Sequence, residues 1–573
     1  MSIHNFARSM FPVLKDKGFS SILLLGSMSI LLLTFFYLIP IIYMIISLML
    51  DTSNFVADLN FLLTDSRIIK AFWFSIWQAI ISTILSVLIG LPIAYVFSHY
   101  TFKGSRFLKS LLTIPFLLPP IVVVMGMIVV YGDNGIINTI LRSNLPFMPS
   151  IEVYSTTGII LAHVFYNTPI IIRIVSVMWE SLDRRPLEIA ETLGASKIRR
   201  FIRLELPQLK FAILSSSLLI FLYCFTSFAI VLSFGGLEVR TLEVQIYRFA
   251  YSLPYLDFAL ASTLAFIQLI FLSLFIIFYY VITKKEISQK KIGFFPKSSF
   301  KLNKITDLIF LSLLLLFSIF ILLPIFAVVF HSFVNRSGNY TIENFFLLFS
   351  NNYDSLIQTS FFRLLVNTLF IALLTVILSL VISLGIIILI RYWKPLKSWN
   401  NYNPSHSKFQ LVLMFPLASS GLLVALGLYS VFSSTAIYSD YNVIVIIIAH
   451  SIAALPISSR ILYSSFSKLN TNYGQVGATL GANKLQILMK IEIPLILKSI
   501  VVASLFSFAI SLGEFGATLF INPQEFTTLG IAIYRLLGTR DLGLPSAMAT
   551  ILIALCLVSF LLIDYLSEKE SVI

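Results

Sequence analysis

Long apolar runs alternate with short polar segments along this 573-residue chain. A helix rising ~1.5 Å per residue needs about 20 apolar residues to cross a hydrocarbon layer of ~30 Å. Each run therefore predicts a spanning helix. Twelve are placed, over 21–49, 72–98, 108–131, 157–178, 211–235, 256–283, 306–332, 363–390, 410–433, 442–463, 499–521 and 545–566. Composition supports the pattern: 58% of residues are hydrophobic and 12% charged, against ~25% charged in a soluble domain. The predicted class is an all-α polytopic membrane protein with negligible strand. The first run is too long for a cleavable leader, and no small-residue cleavage site follows it.

Charge changes the picture in one respect. The net charge of +14 is not a nucleic-acid signal, because the basic residues gather in one alternate set of loops. With the amino terminus placed in the cytosol, roughly three quarters of Lys and Arg fall in cytosolic segments, as the positive-inside rule requires. Both termini are then cytosolic. Residues 284–305 hold seven lysines and read as a solvated cytosolic linker, with lipid-headgroup binding the sharper alternative. Cys224 and Cys556 lie inside apolar runs and give neither a disulfide framework nor a metal site.

The chain repeats itself. EIAETLGASKIRRFIRLELP (188–207) and QVGATLGANKLQILMKIEIP (475–494) match at an offset of 287 residues. At the same offset His163 maps to His450, Arg173 to Arg460, Phe228 to Phe515 and Arg248 to Arg535. Each half has six spans, so the halves share one orientation. The predicted divisions are 1–70 (amino-terminal segment, first helix and outer loop), 71–283 (first transmembrane domain), 284–305 (linker), 306–361 (seventh helix and outer loop), 362–566 (second transmembrane domain) and 567–573 (tail).

The two matching segments are polar and basic. Each reads as a helix, a turn at Gly194 or Gly481, and a second helix stopping at Pro207 or Pro494; glycine takes the positive φ that such a turn needs, and proline cannot continue a helix. The small residues Ala190, Gly194, Ala195, Gly477, Gly481 and Ala482 would let a partner approach. The plainer reading is an interfacial amphipathic helix, but two copies in register with the duplication favour docking elements.

These segments resemble the coupling motif of binding-protein-dependent ABC importer permeases, E-A-A, three residues, G, nine residues, I-x-L-P. The first copy has Glu188, Ala190, Gly194, Leu206 and Pro207; the second has Gln475 for Glu, Gly477 for Ala, then Gly481, Ile491 and Pro494. The resemblance implies a tandem duplication of a six-helix type I importer (MetI-like) transmembrane domain. It further implies partners: two copies of a cytosolic ABC ATPase, an extracytoplasmic solute-binding protein and membrane lipid, with no cofactor. Stretches such as ILAHVFYNTPIIIRI (160–174) and SLGEFG (511–516) are most similar to the thiamine permeases of the fused two-half group. Ferric iron, phosphonate or polyamine permeases share that architecture.

A carboxylate in hydrocarbon is costly unless paired or hydrated, so Glu514 is expected to face the interior or a watery cavity. It is the only clear intramembrane carboxylate in this reading, and Ser227 is its counterpart. Ser227, Phe228, Glu514 and Phe515 are candidate path residues; a structural carboxylate is the plainer alternative. His163 and His450 lack Cys, Asp or Glu at ligand spacing and are not read as metal ligands; they and Arg173 and Arg460 are read as packing or gate residues. Residues 236–255 and 522–544 form the expected mouth for the binding protein. No G-x-x-x-x-G-K-[ST] loop occurs, so the chain is read as a transport subunit, not the ATPase. An ion-coupled secondary transporter is the remaining alternative, and it would need several intramembrane carboxylates. The expected location is a bacterial inner membrane.

Overall fold

The computed structural model describes residues 17–289, 298–299, 305–393 and 408–568, apart from positions 51, 146, 184, 237–238, 252–255, 336, 351–356, 358, 434, 522–525 and 540–541. Most of the linker and parts of both mouth segments lie outside the described residues. Twelve main helices follow in order: α1 (Phe19–Leu50), α2 (Ser66–His99), α3 (Pro120–Tyr131), α4 (Thr156–Glu180), α5 (Leu206–Phe225), α6 (Phe258–Gln289), α7 (Ile305–His331), α8 (Phe361–Trp393), α9 (Gly421–Phe432), α10 (Ala436–Lys468), α11 (Leu497–Gly513) and α12 (Gly543–Glu568). Among the described residues ten helices are long and apolar enough to span a membrane, and two further bent pairs bring the total to twelve. Strand is confined, among those residues, to Tyr100–Thr101 paired with Ser298–Ser299.

Four expected spans are broken, and the sequence supplies the reason. The run at 108–131 divides into Ser105–Thr113, a 3-10 turn Ile114–Leu117, and α3. Pro115, Pro119 and Pro120 remove three backbone donors there. The run at 410–433 bends by 94° between Leu411–Ala418 and α9. Pro416 lies in the turn, and Ser420 restarts the helix by accepting the Leu423 N–H at 3.1 Å. The runs at 211–235 and 499–521 both stop early and resume as short helices, Ala229–Phe234 and Gly516–Ile521, again 287 residues apart.

The chain divides into two compact units that cut across the repeat. Among the described residues, one unit draws on the ranges 1–47, 369–517 and 558–573, and the other on 48–368 and 518–557. In the first, α1 leaves its own repeat and packs on helices of the second. A Cβ on Gly26 would lie 2.5 Å from the Leu389 Cβ, so only glycine allows this approach. Ser29 Oγ donates to the Val381 carbonyl at 3.0 Å, and the Tyr37 and Ser419 hydroxyls pair at 2.7 Å. In the second unit, α7 packs on helices of the first repeat. Pro324 closes on Gly126, where a Cβ would stand 3.1 Å away, and the Phe165 and Phe320 rings meet edge-on at 6.0 Å. Each repeat thus gives its first helix to a unit built mainly from the other.

Candidate functional site

The two turned segments are built alike. In the first, helix Arg185–Thr192 ends at Gly194, whose φ is +79°. The Ala195 N–H donates to the Ala190 carbonyl and the Gly194 N–H to the Glu191 carbonyl, both at 2.9 Å. In the second, helix Thr471–Thr479 ends at Gly481, with φ +83°. The Ala482 N–H reaches the Gly477 carbonyl at 3.0 Å and the Gly481 N–H the Ala478 carbonyl at 3.1 Å. Reverse bonds of this kind satisfy the last helical carbonyls and turn the chain sharply. Helix Lys197–Arg200 then starts on Ser196, and helix Lys484–Ile487 on Asn483, which forms a full capping box with Gln486.

What locks each pair of helices differs. In the first copy Arg200 reaches back across the turn to Glu191 at 2.5 Å. In the second, position 477 lies against Ile491 and Ile487, where a Cβ would meet side-chain atoms at 3.0 and 3.2 Å. The second copy is closed by apolar packing, the first by charge. Gly477 therefore makes room for its own segment, not for a surface contact. Ile491 helps fill that space, while Leu206, Pro207 and Pro494 sit at the junction with the membrane helix.

Neither turn glycine has an atom near its absent Cβ; the space around both is open. Beside them runs a ridge that sequence reading missed. Leu193 is 81% exposed and Leu480 82%. One turn earlier, Ile189 and Val476 are 60% and 58% exposed. Each pair is 287 residues apart, and i, i+4 spacing puts both members on one helix face. Large apolar side chains on a polar segment, in matched pairs, form an exposed apolar stripe. All four residues lie within the repeated motif itself. Glu188 lies in the first turn of its helix, where a carboxylate favours the dipole; Gln475 is exposed at the matching place.

The candidate path residues occupy the two helix breaks. Glu514 Oε1 accepts the Ala517 N–H at 3.1 Å and so caps helix Gly516–Ile521. Its carboxyl lies directly over Gly421, the first residue of α9, where any Cβ would collide with it. Phe228 and Phe515 are both buried, and Phe228 packs on Tyr247 with ring centres 5.2 Å apart. The Ser227 N–H turns back to the Cys224 carbonyl at 3.4 Å. His163 Nδ1 stands 3.4 Å from Ser82 Oγ, and His450 Nδ1 2.9 Å from Ser511 Oγ, both inside the helix packing. Arg173 and Arg460 are half-buried on α4 and α10.

Other acidic side chains are buried among the described residues. Glu243 is fully buried in helix Leu242–Tyr251 and accepts a hydrogen bond from Gln268 of α6. Residues 242–251, expected to be part of the mouth, instead turn inward as a helix against α6. The neighbouring Leu242 N–H donates to Ser75 of α2 at 2.9 Å and fixes that inward course. Glu205 and Glu492, in the turned segments, are buried as well.

Comparison with known proteins accounts for this doubled architecture. The family model for the binding-protein-dependent transport system inner membrane component matches twice, at residues 86–287 and 405–572. The thiamine transport system permease protein ThiP of Haemophilus influenzae is 27% identical over 513 residues, covering 88% of this chain and 90% of that protein. ThiP of Escherichia coli K12 is 26% identical over 509 residues, with the same coverage. The putative ferric transport system permease protein FbpB 1 of Haemophilus influenzae is 25% identical over 508 residues, 87% of this chain and 77% of that protein. The chain is a multi-pass membrane permease that belongs to the binding-protein-dependent transport system inner membrane component family, with two copies of the family domain fused in tandem.

Proposed function

We propose that this chain is the permease subunit of an ABC importer, carrying thiamine across a bacterial inner membrane with both termini in the cytosol. The segments Glu188–Pro207 and Gln475–Pro494 each dock on one copy of a cytosolic ATPase. The supporting observation is the pair of matched apolar ridges, Ile189–Leu193 and Val476–Leu480, each ending at a glycine turn with open space around it. Closure of two ATPase subunits on ATP draws the segments together. The path then opens outward to a solute-binding protein and, after hydrolysis, inward.

The choice of thiamine rests on the ThiP relatives, which align over 88% of this chain. Glu514 at a helix break suits a thiazolium cation passing close by, because a carboxylate there offers the opposite charge. A second reading, ferric iron, is favoured by the ferric relative. Both are tested by reconstituting the chain with its ATPase and binding protein in proteoliposomes. ATP-dependent uptake of labelled thiamine, with none of ferric iron, is expected. Uptake of iron alone would replace thiamine, and solute movement without any ATPase would remove the importer reading.

A further inference from the structure

Two carboxylates hold the roots of the turned segments. Glu205 and Glu492 stand 287 residues apart, each two positions before the segment's proline. They are 8% and 2% exposed. Each ends a π-helical turn, Phe201–Glu205 or Leu488–Glu492. The wide turn has a local cause: a proline ring clashes with the carbonyl four residues back, and one extra residue in the turn moves that carbonyl aside. The same device precedes Pro40, where Thr34–Leu38 is π-helical with no carboxylate. The π turn therefore does not depend on the carboxylate, and a proline alone does not impose it, since Pro92, Pro169, Pro324 and Pro456 lie inside helices without one. The buried carboxylate needs a separate explanation.

Its partners supply one. Glu205 Oε2 accepts the Trp179 Nε1–H at 2.8 Å and lies 3.6 Å from His99 Nε2. His99 ends α2, and Trp179 is the penultimate residue of α4. Glu492 Oε1 accepts from Arg391 Nε at 2.9 Å and Nη2 at 2.7 Å, and Oε2 from the Tyr392 hydroxyl at 2.9 Å. Arg391 also donates through Nη1 to the Phe466 carbonyl at 2.9 Å. Arg391 and Tyr392 are in the last turn of α8, and Phe466 is in the last turn of α10. Phe466 is the repeat counterpart of Trp179. The phenylalanine side chain has no N–H to give, and the guanidinium bridges the gap instead. Different chemistry thus builds a similar joint twice: Glu205 is hydrogen-bonded to the end of α4 and lies beside His99 of α2, and Glu492 is hydrogen-bonded to the end of α8, whose Arg391 is bonded in turn to the end of α10.

We infer that Glu205 and Glu492 are positioning residues for energy coupling, each transmitting displacement of its turned segment to the ends of α2 and α4 or of α8 and α10. The inference rests on the docking of those segments to an ATPase. A buried carboxylate held by charged or aromatic donors cannot slide without losing bonds that water is not there to replace. The segment and the two helix ends therefore move as one body. The Glu492 joint, with three donor atoms on its two carboxylate oxygens, two of them from a charged guanidinium, is the stiffer of the two.

The test uses the full chain with its ATPase and binding protein in proteoliposomes, reading solute transported per ATP hydrolysed. Glu492→Gln and Arg391→Met are each expected to lower that ratio at least fivefold, while ATPase co-purification and the KM for ATP stay within twofold of wild type. Exchanging the charges, Arg391→Glu with Glu492→Arg, is expected to restore the ratio to within threefold. Glu205→Gln should lower it by a smaller factor. Where a charge variant fails to assemble, Trp179→Phe and Tyr392→Phe each remove one donor while keeping the ring, and a two- to threefold fall is expected. The inference is overturned if the ratio holds within twofold in the variants that assemble. It is also overturned if transport and ATP hydrolysis fall in parallel, or if the exchanged pair behaves like the single variants. Failure of the wild-type chain to bind its ATPase would overturn the docking reading first, and this one with it.

Discussion

Gly194 and Gly481 lie 287 residues apart and hold the same left-handed backbone, φ +79° and +83°. Each is followed by an alanine whose N–H closes back on the fifth residue before it. The space beside both is open, so substitution tests conformation and docking without a clash inside the fold. Alanine at either position is expected to cost about 1 kcal/mol through the positive φ alone, read as a small fall in the melting temperature of the purified permease. Tryptophan at both is expected to abolish ATPase binding with insertion intact. Co-purification and full stimulation of the ATPase by the double tryptophan variant would show that these turns do not face a partner.

The apolar ridge makes a separable prediction. Leu193→Ser and Leu480→Ser change side chains that are about four-fifths exposed in the isolated chain. The melting temperature should therefore stay unchanged. If each leucine is buried on docking, its loss removes about 2 kcal/mol of apolar burial, a roughly 30-fold fall in ATPase affinity. Equilibrium binding of the ATPase to detergent-solubilised permease measures it.

The two segments are not chemically equal. Glu188 carries charge in the first turn of its helix, while Gln475 does not. Glu188→Ala is expected to reduce coupled ATP hydrolysis more than Gln475→Ala. Stimulated ATPase rates compared side by side decide this, and equal losses would remove any special part for the first segment's charge.

Glu514 lies over Gly421 with no room for a side chain between them. Glu514→Gln is expected to reduce uptake of a cationic solute severalfold without affecting complex assembly. Gly421→Ala should act in the same direction by displacing the carboxyl, with a stability cost of ~1–3 kcal/mol for overpacking. Uptake and thermal unfolding measured on both variants check this. Unchanged uptake in Glu514→Gln would leave the carboxylate as a helix cap only.

Reading the sequence found the turned segments for a physical reason. A glycine at positive φ, a polar helix start and a proline stop are all settled within a few residues, and a duplication shows them twice. The ridge at Leu193 and Leu480 was just as local but went unread, because exposed leucines in a polar segment look ordinary until their exposure is measured. Gly477, expected to face a partner, instead lies against Ile487 and Ile491, a contact that only packing reveals. Glu243 escaped because polar residues flanking a turn suggest a loop. Its burial depends on α6 and on Ser75, far away in the chain.

By itself, the sequence determined the membrane class, the twelve apolar runs, the duplication at 287 residues and the two glycine turns, because hydropathy and backbone preference act over one or two helical turns. Tertiary structure decided which helix lies beside which. The exchange of α1 and α7 between repeats depends on Gly26 meeting Leu389 and Gly126 meeting Pro324, and the partners of Glu205 and Glu492 come from helix ends up to 106 residues away. Such contacts are set by shape and by the need to satisfy polar groups in a dry interior, and no local period along the chain records them.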